Sequence, residues 1–158
     1  MEPFTKKEQL QWKQDLRDAC IAILQKRVDT SALAMQQAQE SANSDDKSSA
    51  GDKYETGRAM GQRDHAMHAA QMQQARQELA LIKSIPFDQL HTQAGMGSVV
   101  VCRDYIFFIS LGLGFIENKG RKVALLSAQA PLAAALKMKK KGDSFLLNGR
   151  TVEMLDVF

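Results

Sequence analysis

Apolar and small residues recur at alternating steps of three and four through the first quarter of the chain: Ile21, Leu24, Val28, Ser31, Met35, Ala38 and Ala42. That spacing marks an α-helix packed along one narrow line. No Gly or Pro interrupts residues 5–42, and Pro3 with Thr5 suits an entry, so the pattern predicts one long helix there. Leu10, Trp12, Leu16, Cys20 and Ile23 widen the apolar face near its start. Towards residue 42 the face becomes small and polar. A helix inside a globular core would not thin out this way, whereas an arm running into solvent would.

Residues 43–51 break the pattern with Asn, Ser, Asp and Gly, which prefer turns to helix interiors. A second helical pattern runs from about Asp52 to Ser84. Its apolar positions mirror the first, sparse at Ala59, Met60, Ala66 and Met67, then denser at Met72, Ala75, Leu79 and Ile82. Gly57 and Gly61 each cost about 1 kcal/mol relative to Ala in a helix interior, so this end is expected to fray. Pro86 closes the helix, because the residue before a proline avoids the helical region. Two helices of this length, roughly 50 Å each, joined by a short connection, must be antiparallel neighbours. The alternative is two sides of an ordinary helical bundle.

From residue 96 the period changes. GSVVVCRDYIFFISL is rich in β-branched and aromatic residues and reads as one or two strands, and KVALLSA at 122–128 as another. Pro131 opens a short helical piece, LAAALKM. DSFLLNGRTVEMLDV is a hairpin, with Asn148-Gly149 as a type I′ turn. The expected fold is therefore α+β. Residues 1–85 form a coiled-coil hairpin with an acidic tip, 86–97 a linker, and 98–158 a small antiparallel sheet with one short helix.

The 158 residues suffice for one ordinary domain or two small ones. No apolar run approaches the length needed to span a bilayer, and the first ten residues lack the apolar core of a signal peptide. The expected location is the cytoplasm, with no membrane partner. Cys20 and Cys102 stand far apart with no C-x-x-C and no Cys/His cluster, which argues against a zinc site or disulfide framework. Net charge is +3, with the second half mildly basic, too weak to argue for nucleic acid by itself.

The chemistry concentrates at residues 41–58, which carry Asp45, Asp46, Asp52 and Glu55. Asp52 and Glu55 are three apart at a helix start and so share a face. They could be ordinary N-terminal helix acids, with Asp52 as the cap. The functional reading is that exposed carboxylates at the end of a long arm share a hard cation. Mg²⁺ keeps several waters and is usually held by one or two carboxylates plus phosphate. Two carboxylates alone bind it weakly, so another protein would supply the remaining ligands.

Gly51-Asp52-Lys53-Tyr54-Glu55 resembles the tip motif of the Gre family of bacterial transcript-cleavage factors, G-D-L-x-E-N. Ala130-Pro131 through Gly142-Asp143 resembles that family's S-P-I-G-K-A-L-L-G-K-K-V-G-D, with Pro131, Ala135-Leu136, Lys139-Lys140 and Gly142-Asp143 in register. Ala133 and Met138 stand where the motif has glycine. The resemblance covers nearly the whole chain and implies a coiled-coil hairpin followed by an FKBP-like domain. It implies that the globular part docks at the rim of the RNA polymerase secondary channel through Pro131, Leu136, Lys139, Lys140, Gly142 and Asp143. The tip then reaches the active site, where Asp52 and Glu55, with Asp45 and Asp46 as extra acids, help the polymerase hold its second Mg²⁺. The polymerase's own site hydrolyses backtracked RNA by two-metal chemistry. On this reading the chain is not itself an enzyme and binds no metal when isolated. It meets the RNA 3′ end only indirectly and takes no small-molecule substrate.

Two alternatives stay open. The very acidic tip also fits a channel-binding inhibitor without cleavage activity, and the helical pattern also fits a coiled-coil interaction or chaperone-like module unrelated to polymerase. His65 and His68, three apart, could touch one ligand, although such pairs are usually solvated. Lys137, Lys139, Lys140 and Lys141 read as a solvated basic face or a phosphate contact. Arg58, Arg63 and Arg76 fall along the second helix. Tyr105, Phe107, Phe108 and Phe115 read as sheet core. A prolyl isomerase pocket is the sharper alternative, but a fold alone does not carry that activity.

Overall fold

A computed structural model of the chain describes residues 2–45 and 51–158, with side chains described except those of residues 44, 45 and 51–55. Helix α1 spans Lys6–Asp45 and helix α2 spans Gly51–Ser84. The start of α1 is a capping box. The Thr5 hydroxyl oxygen accepts from the Glu8 backbone N–H at 3.2 Å, and Glu8 Oε2 accepts from the Thr5 backbone N–H at 2.8 Å. The Thr5 backbone donor and then the Thr5 hydroxyl hold the Glu8 carboxyl below its ordinary pKa. Among the described residues no helix is long and apolar enough to cross a membrane.

The chain divides into two units, one of Met1–Ile21 with Leu81–Phe158 and one of Ala22–Ala80. The division falls inside both long helices, whereas the sequence pattern places it near residue 85. The first turns of α1 and the last turn of α2 belong with the sheet.

In the second unit the α1 seam is buried as spaced. Leu24 is fully inaccessible, Val28, Ser31 and Ala42 are buried, and Met35 and Ala38 are half-buried. Ala42 lies against Gly61 and Ser31 opposite Ala75, so the helices run in opposite directions. On α2 the inward positions are Gly61, His65, His68, Met72, Ala75 and Leu79. Met60 and Met67, expected on the packed face, are 59% and 50% exposed, and Ala59 and Ala66 are exposed with them. Gly61 has a packing role instead of a fraying one. A Cβ there would stand 2.9 Å from Ala42 Cβ and 3.4 Å from the Ala38 carbonyl oxygen. Only hydrogen lets the two helices approach this closely.

The first unit holds a six-stranded mixed sheet of β1 (Val99–Cys102), β2 (Ile106–Ser110), β3 (Gly114–Asn118), β4 (Arg121–Ser127), β5 (Ser144–Leu147) and β6 (Arg150–Val157). Helix α3 (Pro131–Leu136) lies between β4 and β5 in sequence, and the sheet order is β3-β4-β2-β1-β6-β5. The sheet is not wholly antiparallel as expected: β2 and β4 pair in parallel, Phe107 beside Ala124 and Ile109 beside Leu126. The cause is β3, which continues beyond β2 and turns back tightly, delivering β4 between them in the direction of β2. That turn is Lys119-Gly120, with both residues at positive φ, 49° and 76°. The Asn148-Gly149 turn joins β5 to β6 as its sequence demands, with φ of 51° and 76°.

Alternation sorts the strand residues onto two faces. Val100, Cys102, Phe107, Ile109, Phe145, Met154 and Val157 pack against Ala133 and Leu136 of α3 and against Ala94. On the other face Phe108 borders a small cavity with Lys13, Arg17, Ile82 and Ile85. Phe4 closes the edge of that layer, its ring 5.4 Å from Trp12 and 5.6 Å from Phe158. Each of these large side chains, removed from water, contributes on the order of 1.5–3 kcal/mol.

Residues 86–97 are not a free linker. The Ala94 N–H donates to the Lys139 carbonyl at 2.8 Å, and the Met138 N–H donates to the Ala94 carbonyl at 2.9 Å. Further on, the Gly97 N–H donates to the Ile109 carbonyl at 2.7 Å. The segment spends its backbone groups on the sheet unit, which is why it needs so few apolar side chains of its own.

Candidate functional site

The acidic stretch falls where one long helix ends and the next begins. Asp45 is the last residue of α1, and Asp52 is the second residue of α2 with Glu55 in its first two turns. Asp46 lies outside the described residues, and so do the side chains of Asp45, Asp52 and Glu55. What is described is the frame beneath them. Ala38, Ala42 and Gly61 bring the two backbones close about two turns before Glu55.

His65 and His68 are both half-buried on the inward side of α2. The His68 ring nitrogen Nδ1 lies 3.2 Å from Gln71 Oε1. They belong to the helix seam. Among the described residues no group of three or more His, Cys, Asp or Glu side chains could hold a metal ion.

The residues singled out after α3 separate into packing and surface. Leu136 is fully buried in the core beneath α3 and offers no surface to a partner, which corrects its expected place among docking residues. Pro131, Lys140, Gly142 and Asp143 are exposed and Lys139 is half-buried. Asp143 Oδ2 accepts from the Lys140 backbone N–H at 2.8 Å, and the Asp143 N–H donates to the Lys140 carbonyl at 3.0 Å. Gly142, at φ +91°, makes that turn possible. Asp143 therefore shapes its own loop.

A second turn precedes it. Lys137 has φ −51° and ψ 130°, Met138 has φ 65°, and the Lys139 N–H donates to the Leu136 carbonyl at 3.0 Å. This is a type II turn with Met at the position that favours glycine. Of the aromatic residues read as core, Phe107 and Phe108 are buried, whereas Tyr105 is 44% and Phe115 65% exposed. Lys122 Nζ sits 4.2 Å above the Phe115 ring.

Two cations that the sequence reading passed over hold the crossing from α2 to the sheet. Lys13 is 1% exposed, and its Nζ donates to the Gln89 carbonyl at 2.5 Å. One turn along α1, Arg17 donates to the Lys83 carbonyl at 3.3 Å and lies 4.8 Å over the Phe87 ring. Burial, opposed by Asp88, pushes the Lys13 ammonium down from 10.5 to about 8. His91 is also depressed, by burial first and then by the Lys13 charge. A lysine inside the Trp12–Leu16 apolar stripe was the available signal, since lysine is almost never fully buried unless its charge is met. No family model matches the chain, and no curated protein and no solved structure matches it.

Proposed function

We propose that this chain is a Gre-like transcription factor that binds RNA polymerase through its secondary channel. There it stimulates cleavage of backtracked RNA by lending tip carboxylates to the polymerase's Mg²⁺. The observation that carries this reading is that four acids, Asp45, Asp46, Asp52 and Glu55, fall in sequence where a 40-residue helix ends and a 34-residue helix begins. In the second unit the paired helices run for about 35 Å beyond Ala22 before reaching that junction, at 1.5 Å per residue. An isolated pair of carboxylates cannot retain Mg²⁺, because the ion resists dehydration and needs near-octahedral ligands. The same pair added to a metal already held by another protein's ligands stabilises the developing charge of phosphodiester hydrolysis.

The region after β4 supports the resemblance at the backbone level. Position 138, glycine in the motif, has left-handed backbone here although it carries Met. Gly142-Asp143 forms a tight turn, as a Gly-Asp pair in that motif would. The FKBP-like character of the sheet unit belongs to this proposal, as do docking by Pro131, Lys139, Lys140, Gly142 and Asp143 and the absence of activity without polymerase. The test is a stalled, backtracked elongation complex supplied with purified protein. Accelerated release of short 3′ RNA fragments is the expected result. Lowered RNA synthesis with no gain in cleavage would instead support the channel inhibitor. Failure to bind polymerase would leave the helical pair as an unrelated interaction module.

A further inference from the structure

The side of the second unit carries a groove of about 500 Å³ between the helices, lined by Ile23, Lys26, Arg27 and Ser31 of α1 with Gln74 and Ala75 of α2 among others. Its deepest side chains, Ser31 and Ala75, are small and buried. Small residues at a helix–helix seam leave a hole, and a hole on a coil surface takes a side-chain knob from another helix. Met60, Met67 and Gln74 are seven apart, so they share one line along α2, and Gln74 is on the groove rim. The exposed Met67 is thus a knob two turns from the hole on the same side of the same unit.

We infer that this side is the face of a symmetric dimer in which Met67 of each copy fills the Ser31/Ala75 hole of the other. A two-fold contact must be self-complementary, residue i touching j and j touching i. Laying a second copy antiparallel along the groove, with the axis beside Gln71, sets Met67 of that copy at the level of Ala75. The same operation sets its Asp64 at the level of Glu78, and therefore of Lys26 and Arg27, which line the groove with Glu78. Lys26, Arg27 and Asp64 are all exposed. Among the described residues none of these three stands in an ion pair. At each end Asp64 of one copy meets two cations, Lys26 and Arg27, against the one acid Glu78 of the other, so the balance is attractive, and the register that seats Met67 in the hole also brings these charges level.

The contact runs from about residue 64 to 78 of α2, the span that the axis beside Gln71 maps onto itself, roughly 21 Å of helix. At a helix-pair width this buries on the order of 900 Å² in total, in the range of weak, transient interfaces. So small an area makes the dimer weak and its population concentration-dependent. The inference stands apart from any role in transcription.

The test is sedimentation equilibrium of the full chain from about 5 to 200 µM, a span wide enough to reveal a weak dimer. The expected result is a reversible monomer–dimer equilibrium. Arg27→Glu and Asp64→Arg should each weaken dimerisation about tenfold or more, and the double variant should recover most of the loss. Gln71→Cys, on the axis, should form an intermolecular disulfide on mild oxidation, since Cys20 and Cys102 are buried. These changes are at exposed positions, and unchanged helical circular dichroism verifies the fold. A chain that stays monomeric throughout overturns the inference. So does a dimer indifferent to the single charge reversals, or one that the double variant fails to restore.

Discussion

Replacing Lys13 by Met removes a positive charge that the fold holds almost out of reach of water. The lysine is 1% exposed, and its ammonium falls from 10.5 to about 8. That difference corresponds to about 3 kcal/mol against the charged form in the folded chain. The sign follows from proton counting. Between about pH 8 and 10.5 the unfolded chain still holds the Lys13 proton while the folded chain releases it, so the Lys13 contribution to stability rises with pH across that window. Below pH 8 the penalty is present in full. The thiols of Cys20 and Cys102 work in the opposite direction, since burial pushes each from 9.0 up to about 11. The unfolded chain loses those protons first, so they lower stability as pH rises through 9. The wild-type curve alone therefore mixes both effects, and the difference between wild type and Lys13→Met isolates the lysine. At pH 7 the variant gains from losing the buried charge and loses about 1–3 kcal/mol because the Gln89 carbonyl is left without its donor. The informative quantity is the trend. Urea unfolding at pH 7.5, 8.5 and 9.5 should show wild type gaining about 2 kcal/mol on the variant. A difference that stays flat over this range would refute the account of Lys13 as a buried ammonium. His91 supplies a check from the acid side. Its depressed pKa means stability is lost as pH falls through its ordinary 6.5, and the loss should shrink in Lys13→Met because Lys13 is the second cause of that depression.

Other changes probe the helix contact and the turn after α3. Gly61→Leu should destabilise by about 1–3 kcal/mol by forcing α1 away at Ala42, despite the better helix propensity of Leu. The same change at exposed Ala66 should stay within about 0.5 kcal/mol, and urea midpoints would compare the two. Met138→Gly should stabilise by about 0.5–1 kcal/mol, because it relieves a left-handed side chain that is 65% exposed and packs little. A lowered midpoint would contradict the turn assignment.

The α1 seam was legible because its residues are apolar or small at every inward step, and burial follows them from Leu24 to Ala42. The α2 seam was legible only in its later half, where Met72, Ala75 and Leu79 turn inward as their spacing predicts. Nearer the junction the inward positions are Gly61, His65 and His68, while the visibly apolar Met60 and Met67 face out. Hydrophobicity misleads where close backbone approach, and not large side-chain burial, makes the contact. Asn148-Gly149 announced its hairpin. Lys119-Gly120 makes the same turn with a weaker signal, and the exposed β3 beside it has no buried alternation to read. Missing β3 also concealed the parallel pairing of β2 with β4. Residues 86–97 looked like a linker because their attachment is through backbone groups, which composition does not reveal. Of the expected surface residues, Leu136 could have been reassigned from sequence, since it lies three positions from Ala133 on the inward side of a short helix.

The central claim is that acids at the junction of α1 and α2 act on a metal bound by another protein. Its most direct test is the Asp52→Ala/Glu55→Ala double variant, assayed with polymerase for binding and for cleavage of backtracked RNA side by side. Retained binding with cleavage reduced to the polymerase's own basal rate is the predicted result. Cleavage stimulated to the wild-type extent by the variant would contradict it.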